Sequence, residues 1–267
     1  MRSRVVTLLT DFGTDDYFVA AIKGVILTRN PSAAIVDITH TIPPHDIFAA
    51  AFTLGAVYSY FPAGTIHLAV IDPGVGSERR PILVETSECL FVGPDNGLFS
   101  IVLERASEPR VRHLTNSAYF LPILSSTFHA RDLFAPVAAA LADDVLPETF
   151  GPIIKDPIRL SPVQNELTME GALVGSILHI DHFGNCVTSF ESDRFGKLAA
   201  AQGFCLSIKG INIREWHKHY NEPGSKSGEP FLVAGSAGYM EMSLSCSSAA
   251  RKFNISVGEP VRLTWSS

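Results

Sequence analysis

The chain has 267 residues and a formal net charge of -6 at pH 7; 46% of its residues are hydrophobic and 18% are charged. This composition predicts a sizeable hydrophobic core in one large or two ordinary domains, and it excludes an intrinsically disordered chain. The net negative charge argues against nucleic acid as a partner, because phosphate binding requires clustered Lys and Arg.

No segment of the sequence predicts export or membrane insertion. The apolar run from Val5 to Leu9 is too short for a signal peptide, and no apolar run reaches the roughly 18 residues of a membrane span. The four cysteines lack any C-x-x-C spacing, which is typical of free thiols in a reducing compartment: Cys89, Cys186, Cys205 and Cys246. We therefore expect a cytoplasmic protein that does not bind membranes.

The N-terminal part of the chain alternates between predicted strands and helices. Short apolar segments rich in β-branched residues predict the strands Val5–Thr10, Ala34–Ile38 and Thr65–Ile71. A helix is predicted to begin at Asp15-Asp16 and end before Asn30, and Asp46 is predicted to cap a second helix. This alternation predicts parallel crossovers and an α/β domain with a Rossmann-like layered sheet. Further elements are expected at Ile82–Thr86, Leu90–Val92, Gly97–Arg105 and from about Ala130.

The C-terminal part of the chain has a different pattern. Pro152, Pro157 and Pro162 interrupt a stretch with little periodicity, where we place the connection between an N-terminal domain, residues 1–162, and a C-terminal domain, residues 170–267. Short strands separated by Gly, Pro and Ser are predicted beyond it: Leu173–Ile180, Cys186–Phe190, Gly203–Ile208, Phe231–Ala234, Tyr239–Leu244 and Val261–Trp265. This pattern predicts an all-β barrel domain.

Three acidic loops follow strands of the predicted N-terminal sheet. Asp11 follows the first strand, Asp72 the third, and Asp95 a later one. In open α/β sheets the ligand crevice lies outside the carboxyl ends of the strands, so these carboxylates are candidates for one ligand site. The same residue types are also ordinary turn formers, and the loops alone leave both explanations open.

Gly74-Val75-Gly76 does not indicate a dinucleotide site. A phosphate-binding G-x-G-x-x-G loop must lead into a helix, whereas here Arg79 takes the third glycine position and a strand follows. The loops are acidic where phosphate would require cations and N–H groups. The predicted ligand is therefore neutral or cationic.

His129 stands just before a predicted helix and is a candidate general acid or base, although a lone histidine is more often structural. A second hypothesis is that Asp11, Asp72, Asp95 and His129 hold a divalent ion. Because the chain has no H-E-x-x-H, H-x-x-E-H or D-x-D cluster, the metal hypothesis is disfavoured.

Taken together, the motifs resemble those of the S-adenosyl-L-methionine hydroxide adenosyltransferase family, relatives of the fluorinating and chlorinating enzymes that act on the same substrate. The resemblance covers nearly the whole chain and rests on T-D-F-G-T-x-D at Thr10–Asp16, D-P-G-V-G-S-E-R-R at Asp72–Arg80, P-D-N-G at Pro94–Gly97, F-H-A-R-D at Phe128–Asp132, D-x-F-G-N at Asp181–Asn185 and G-S-A-G-Y at Gly235–Tyr239. The loop that begins at Asp72 is the most specific of them.

The resemblance implies an α/β domain followed by a β-barrel, and a homotrimer with sites between subunits. It implies hydrolysis of S-adenosyl-L-methionine to adenosine and L-methionine, without a cofactor or a metal ion. The implied catalytic residues are Asp72, Arg79 and His129. The implied substrate-binding residues are Asp11 for the ribose, Asn185 and Tyr220 for the adenine, Asp181 and Ser236 for the methionine end, and in addition Asp16, Asn96 and Tyr239.

Position 72 and the second domain's motifs leave alternatives open. The fluorinating relatives have an aromatic residue at position 72, so Asp72 favours water over halide as the nucleophile. Gly235 replaces a usual Asn, Ala237 stands where the halogenating relatives have Arg, and Ser245 replaces another Asn. A non-catalytic protein that binds an adenosyl compound, and halide-using adenosyl transfer, therefore remain alternative functions.

Overall fold

The computed structural model describes residues 4–161, 165–169, 171–196, 203–222 and 228–265. The chain divides into two compact units, Met1–Leu160 and Ser161–Ser267. The predicted domain limits Pro162 and Glu170 lie outside the described residues. In its coarse form the predicted architecture is confirmed: a unit with a mixed sheet and helices is followed by a unit with an antiparallel sheet.

In the first unit, seven strands form a mixed sheet within the described residues, in the order β2-β1-β3-β5-β4-β6-β7. Strands β2, β1, β3 and β5 are parallel, whereas β4, β6 and β7 pair in antiparallel fashion. The alternation of strands and helices in the sequence predicted the parallel arrangement of β1, β2 and β3. The strands are β1 (Val5–Thr10), β2 (Ala34–Thr39), β3 (Ile66–Val70), β4 (Pro81–Glu85), β5 (Leu90–Pro94), β6 (Arg110–His113) and β7 (Ile153–Ile154).

The four α-helices described in this unit are α1 (Phe18–Arg29), α2 (Ile47–Val57), α3 (Ser100–Arg105) and α4 (Ala135–Ala142). Asp46 caps α2 as predicted, its carboxylate accepting from the Ala49 amide at 2.8 Å. The predicted start of α1 at Asp15-Asp16 is wrong, because these residues form an exposed bend and the helix begins at Phe18. Likewise α3 begins at Ser100 rather than Gly97, since Gly97 adopts a φ of +98° in the preceding turn.

Side-chain alternation along the strands separates two hydrophobic clusters. Leu8 and Leu68 belong to a cluster with residues of α1 and α4, whereas their neighbours Leu9 and Ala69 belong to a cluster with residues of α2 and α3. Because successive side chains of a strand point to opposite faces, helices cover both faces of the sheet. This layering leaves the carboxyl ends of the parallel strands as the edge at which loops can form a site.

In the second unit, eight strands form an antiparallel sheet within the described residues, in the order β12-β11-β15-β9-β10-β14-β13, with β8 also pairing with β9. Beyond β12, Trp216 bridges Leu232 in β13, so the two edge strands nearly close a barrel around one core cluster. The strands are β8 (Glu166–Leu167), β9 (Leu173–Ile180), β10 (Cys186–Glu191), β11 (Phe204–Ile208), β12 (Ile211–Ile213), β13 (Phe231–Ala234), β14 (Tyr239–Ser243) and β15 (Pro260–Trp265).

A short helix, α5 (Ala249–Phe253), was not predicted in the second unit. It is only five residues long, and Ser248 caps it by accepting from the Arg251 amide at 3.1 Å. Five residues are too few to give a recognisable 3.6-residue periodicity. Among the residues described in both units, no helix is long and apolar enough to cross a membrane.

Candidate active site

The three acidic loops of the first unit lie at the same edge of the sheet. Asp11 comes directly after β1, and Asp72 and Asp95 come one or two residues beyond the ends of β3 and β5. These three strands are adjacent and parallel, so their carboxyl ends lie at one edge. The structure shows that the three carboxylates nevertheless have different partners.

Asp72 is held by Arg79 from the same loop. The Arg79 Nε atom donates to both carboxylate oxygens of Asp72, at 2.8 and 3.0 Å, and Nη2 donates a further bond to Oδ2. The Asp72 and Arg79 side chains are only 6% and 9% exposed. The guanidinium also lies 5.1 Å from the centre of the Phe134 ring. A buried, forked ion pair of this kind fixes the orientation of the carboxylate.

Arg79 also connects Asp72 to His129. The Arg79 Nη2 atom lies 2.9 Å from His129 Nδ1. A guanidinium has donors and no acceptor, so Nδ1 must accept this bond, which makes His129 neutral with its proton on Nε2. Burial, followed by the positive charge of Arg79, holds the pKa of His129 below its ordinary value of 6.5. We call these three residues the Asp-Arg-His cluster.

Two local features of the chain bring His129 to this loop. Gly76 has a φ of +77°, and a Cβ atom at this position would lie 2.2 Å from the carbonyl oxygen of Ser126. Only glycine therefore allows the Asp72 loop to pack against the segment that carries His129. After His129 the chain forms a single wide π-helical turn, Ala130–Phe134, before α4 begins. Such turns are frequent at functional sites.

Asp11, the carboxylate of the first loop, is held through its Oδ2 atom, and its side chain is 7% exposed. Its Oδ2 accepts from the His45 backbone amide at 2.8 Å, and the His45 ring, whose side chain is 74% exposed, has its Nδ1 4.0 Å from the same oxygen. His45 adopts a φ of +67°, which is unusual for a residue other than glycine. His45 was not predicted from the sequence, although the Pro43-Pro44 pair before it is a signal for a tight turn.

Asp95 and Asn96, by contrast, form their hydrogen bonds with other residues of the first unit. The Asp95 carboxylate is 1% exposed, forms an ion pair with Arg80 at 2.7 Å and accepts from the Ile158 amide at 2.8 Å. Asn96 donates from Nδ2 to the Ile71 carbonyl at 2.8 Å and accepts from the Leu98 amide. Within the described residues, no group of three or more His, Cys, Asp or Glu could hold a metal ion.

Asp181 and Asn185 form one compact turn in the second unit. The Asn185 amide N–H donates to Asp181 Oδ1 and its side-chain Nδ2 donates to Oδ2, both at 2.8 Å. Asn185 is buried, and this pair uses its Nδ2 and leaves its Oδ1 for another donor. The turn lies between β9 and β10, whose pairing holds both of its ends.

Tyr220 has a partner that was not predicted from the sequence. Its hydroxyl donates to Glu241 Oε2 at 2.7 Å, and Glu241 is 5% exposed although it lies in the middle of β14. Burial raises the pKa of the Glu241 carboxyl, and the nearby charge of Asp181 adds to the rise. Burial, then the bond to Glu241, likewise raises the pKa of Tyr220. An acidic residue within an apolar strand is the signal that could have identified Glu241.

The remaining predicted residues lie in turns or at strand ends. Ser236 is exposed in the turn between β13 and β14, Tyr239 is the first residue of β14, and Asp16 is exposed in the bend before α1. The two units thus contain two separate groups of candidate residues: the Asp-Arg-His cluster with Asp11, and the Asp181–Asn185 turn with Tyr220 and Glu241.

The fold and the Asp-Arg-His cluster define a two-domain protein whose first domain presents buried charged side chains at the carboxyl ends of its parallel strands. Residues 6–151 match the N-terminal domain model of the SAM hydroxide adenosyltransferases, and residues 175–262 match the C-terminal domain model. The chain belongs to the SAM hydroxide adenosyltransferase family.

Known relatives resemble the chain over almost its full length. It is 35% identical to an (R)-S-adenosyl-L-methionine hydrolase from Thermus thermophilus, over 97% of this chain and 99% of the relative. It is 31% identical to an (R)-S-adenosyl-L-methionine hydrolase from Methanocaldococcus jannaschii, over 98% and 96%. A crystal structure of an uncharacterized conserved protein from Thermotoga maritima superposes with a TM-score of 0.89 at 30% identity, over 97% of this chain and 99% of that one.

Proposed function

We propose that the protein hydrolyses S-adenosyl-L-methionine to adenosine and L-methionine by attack of an activated water on C5′. The observation that carries the proposal is the Asp-Arg-His cluster, with its buried ion pair and its 2.9 Å contact to His129. The relatives named as hydrolases of this substrate, at 31% and 35% identity over nearly the whole chain, support the same reaction.

The chemistry of the substrate explains which groups the site needs. C5′ is bonded to a sulfonium, so the leaving group is a neutral thioether and requires no general acid. Water is a poor nucleophile, and the rate therefore depends on holding it in line with the C5′–S bond and on a group that polarises it. An acidic site also favours a substrate whose reacting centre is cationic.

Within the cluster we assign Asp72 as the residue that holds and polarises the water. Arg79 fixes the Asp72 carboxylate through its forked bonds. His129 already carries its proton on Nε2 and so serves as a hydrogen-bond donor in this arrangement. Attack produces a protonated hydroxyl group on C5′, which is strongly acidic and gives its proton to Asp72. The C5′–S bond breaks as the C5′–O bond forms, and its electron pair stays on sulfur.

The substrate-binding roles are proposed on the family resemblance. Asp11 has one carboxylate oxygen outside its bond to His45 and would accept from the ribose hydroxyls. Asn185 would bind the adenine edge through Oδ1, and Tyr220 would stack on the base. The remaining contacts are assigned to Asp181 and Ser236 at the methionine end and to Asp16, Asn96 and Tyr239.

Water, rather than a halide, is the proposed nucleophile. The Asp72 side chain is 6% exposed, and a buried carboxylate repels an anion that approaches the same position. The resemblance implies that the fluorinating relatives have an aromatic residue at this position instead. Added chloride or fluoride should therefore leave the products unchanged.

The proposal extends to assembly, location and cofactors. It includes a homotrimer with sites between subunits, a cytoplasmic location without membrane or nucleic-acid partners, and activity without a cofactor or a metal ion. All four cysteines are free thiols, which supports a reducing compartment. Light scattering on the purified protein measures the subunit number, and full activity in a strong chelator is the expected result for a metal-independent hydrolase.

Product analysis tests the function directly. Purified protein incubated with S-adenosyl-L-methionine should release adenosine and methionine in equal amounts, and Asp72→Asn should abolish the release. Glu78→Gln, which alters an exposed acid in the same loop, is the matched control and should retain activity. Adenosine at the level of a protein-free control would refute the proposal, and ligand binding without turnover would favour a binding protein instead.

A further inference from the structure

Glu241 is an acidic residue at a position where the fold favours an apolar one. It lies in the centre of β14, between Val187 of β10 and Val233 of β13, and is 5% exposed. Its strand neighbours Met240 and Met242 are fully buried. Burying a carboxyl group in a barrel wall is costly unless a partner satisfies it. The partners that the structure provides therefore indicate what the residue does.

The partner of Glu241 is the hydroxyl of Tyr220, which donates to Oε2 at 2.7 Å. Space for the carboxyl comes from Gly235, because a Cβ atom there would lie 1.9 Å from Glu241 Oε1 and 2.4 Å from its Cδ. Gly235 is one of the positions at which this chain departs from the family pattern. In this chain the absence of a side chain at position 235 thus leaves room for the Glu241–Tyr220 hydrogen bond.

Tyr220 is held at two points while much of it remains exposed. Its carbonyl oxygen accepts from the Ser245 hydroxyl at 3.1 Å, and its own hydroxyl is bound by Glu241. The residue is nevertheless 43% exposed. The ring is therefore anchored at its hydroxyl end, and part of its surface is exposed. Such a ring is pre-organised for stacking, because it loses little conformational entropy when a ligand binds.

We propose that Glu241 is a positioning residue that orients the Tyr220 ring for stacking on the adenine of the substrate. The inference rests on the proposed function, because Tyr220 is assigned to the adenine there. Glu241 acts through Tyr220 and does not take part in the attack on C5′. Its loss should therefore weaken binding of substrate and transition state equally, which raises KM and leaves kcat unchanged.

Three variants separate the hydrogen bond from the bulk of the side chain. Tyr220→Phe keeps the ring and removes the donor, and Glu241→Met keeps the length and removes the acceptor. Glu241→Gln keeps an acceptor and serves as the rescue. We expect Tyr220→Phe and Glu241→Met each to raise KM for S-adenosyl-L-methionine about five-fold, the scale of one hydrogen bond, with kcat within two-fold of wild type. The double variant should be no worse than either single variant, and Glu241→Gln should stay near wild type.

Adenosine binding by calorimetry provides the readout that needs no turnover. The same variants should weaken adenosine binding about five-fold, whereas Tyr60→Phe, at an exposed tyrosine of the first unit, should not change it. Replacing both partners of a hydrogen bond by apolar groups is often nearly neutral, so the double variant should keep the wild-type melting temperature. Wild-type KM and adenosine affinity in both Tyr220→Phe and Glu241→Met would overturn the inference. A wild-type protein that binds adenosine without hydrolysing the substrate would refute the proposed function instead.

Discussion

Gly76→Ala should separate the parts of the Asp-Arg-His cluster without altering any of them. The added Cβ would lie 2.2 Å from the Ser126 carbonyl oxygen, and ordinary contact begins at 3.4 Å, so the loop and the Ser126 segment must move apart by about 1.2 Å. Arg79 lies on one side of this contact and His129 on the other. Because a misplacement of about 1 Å can reduce a rate about 100-fold, we expect kcat/KM to fall about 100-fold.

The control for this prediction is Gly64→Ala. Gly64 has a φ of +85°, similar to the +77° of Gly76, but a Cβ atom at position 64 would have no neighbour within 4 Å. Both variants carry the backbone strain of a left-handed alanine, about 1–2 kcal/mol of stability, and only Gly76→Ala carries the clash. Adenosine release by chromatography and urea unfolding are measured on both. If Gly76→Ala keeps kcat/KM within three-fold of Gly64→Ala, the tight approach does not position the cluster.

Further predictions concern charge and pH. Arg79→Lys keeps the charge but loses the contact of two nitrogens with Asp72 that fixes the carboxylate, so kcat/KM should fall roughly 100-fold; an unchanged value would contradict the assigned geometry. Because the pKa of His129 is lowered, the acid limb of kcat/KM should lie below pH 6.5, and an inflection above 6.5 would count against a neutral His129. His67 is fully buried with a pKa lowered from 6.5 to about 4, so the unfolded state takes up its proton first as the pH falls. The stability that the buried, neutral His67 contributes is fully present above pH 6.5, and roughly 2–3 kcal/mol of it is lost between pH 7.5 and 4.5. Urea unfolding of His67→Phe should show a pH dependence smaller by that amount, and parallel curves for the two proteins would refute the assignment.

Apolar periodicity was enough to predict most of the strands, since buried strands are runs of β-branched and aliphatic residues. It did not predict β6, in which Val111 is the one apolar residue and stands between Arg110 and Arg112. Arg112 is tolerated in the sheet because its Nε donates to Glu85 of the neighbouring strand at 2.5 Å, a partner 27 residues away. Pairings of this kind depend on the register of the folded sheet and are not encoded in local composition.

The residues of the candidate site could likewise be predicted from the sequence only in part. The strand order placed Asp11, Asp72 and Asp95 at one edge, which the structure bears out. Sequence did not distinguish Asp95, which Arg80 and the Ile158 amide bind within the unit, from Asp72, which Arg79 presents beside His129. That distinction depends on three-dimensional hydrogen-bond partners.

The most direct test of the account is hydrolysis in ¹⁸O-labelled water. The wild-type protein is incubated with S-adenosyl-L-methionine, and the adenosine and methionine that form are analysed by mass spectrometry. Attack of water on C5′ predicts one labelled oxygen in the 5′-hydroxyl of adenosine and none in methionine. Adenosine without the label, or a 5′-halogenated nucleoside as the product when chloride is present, would contradict the account.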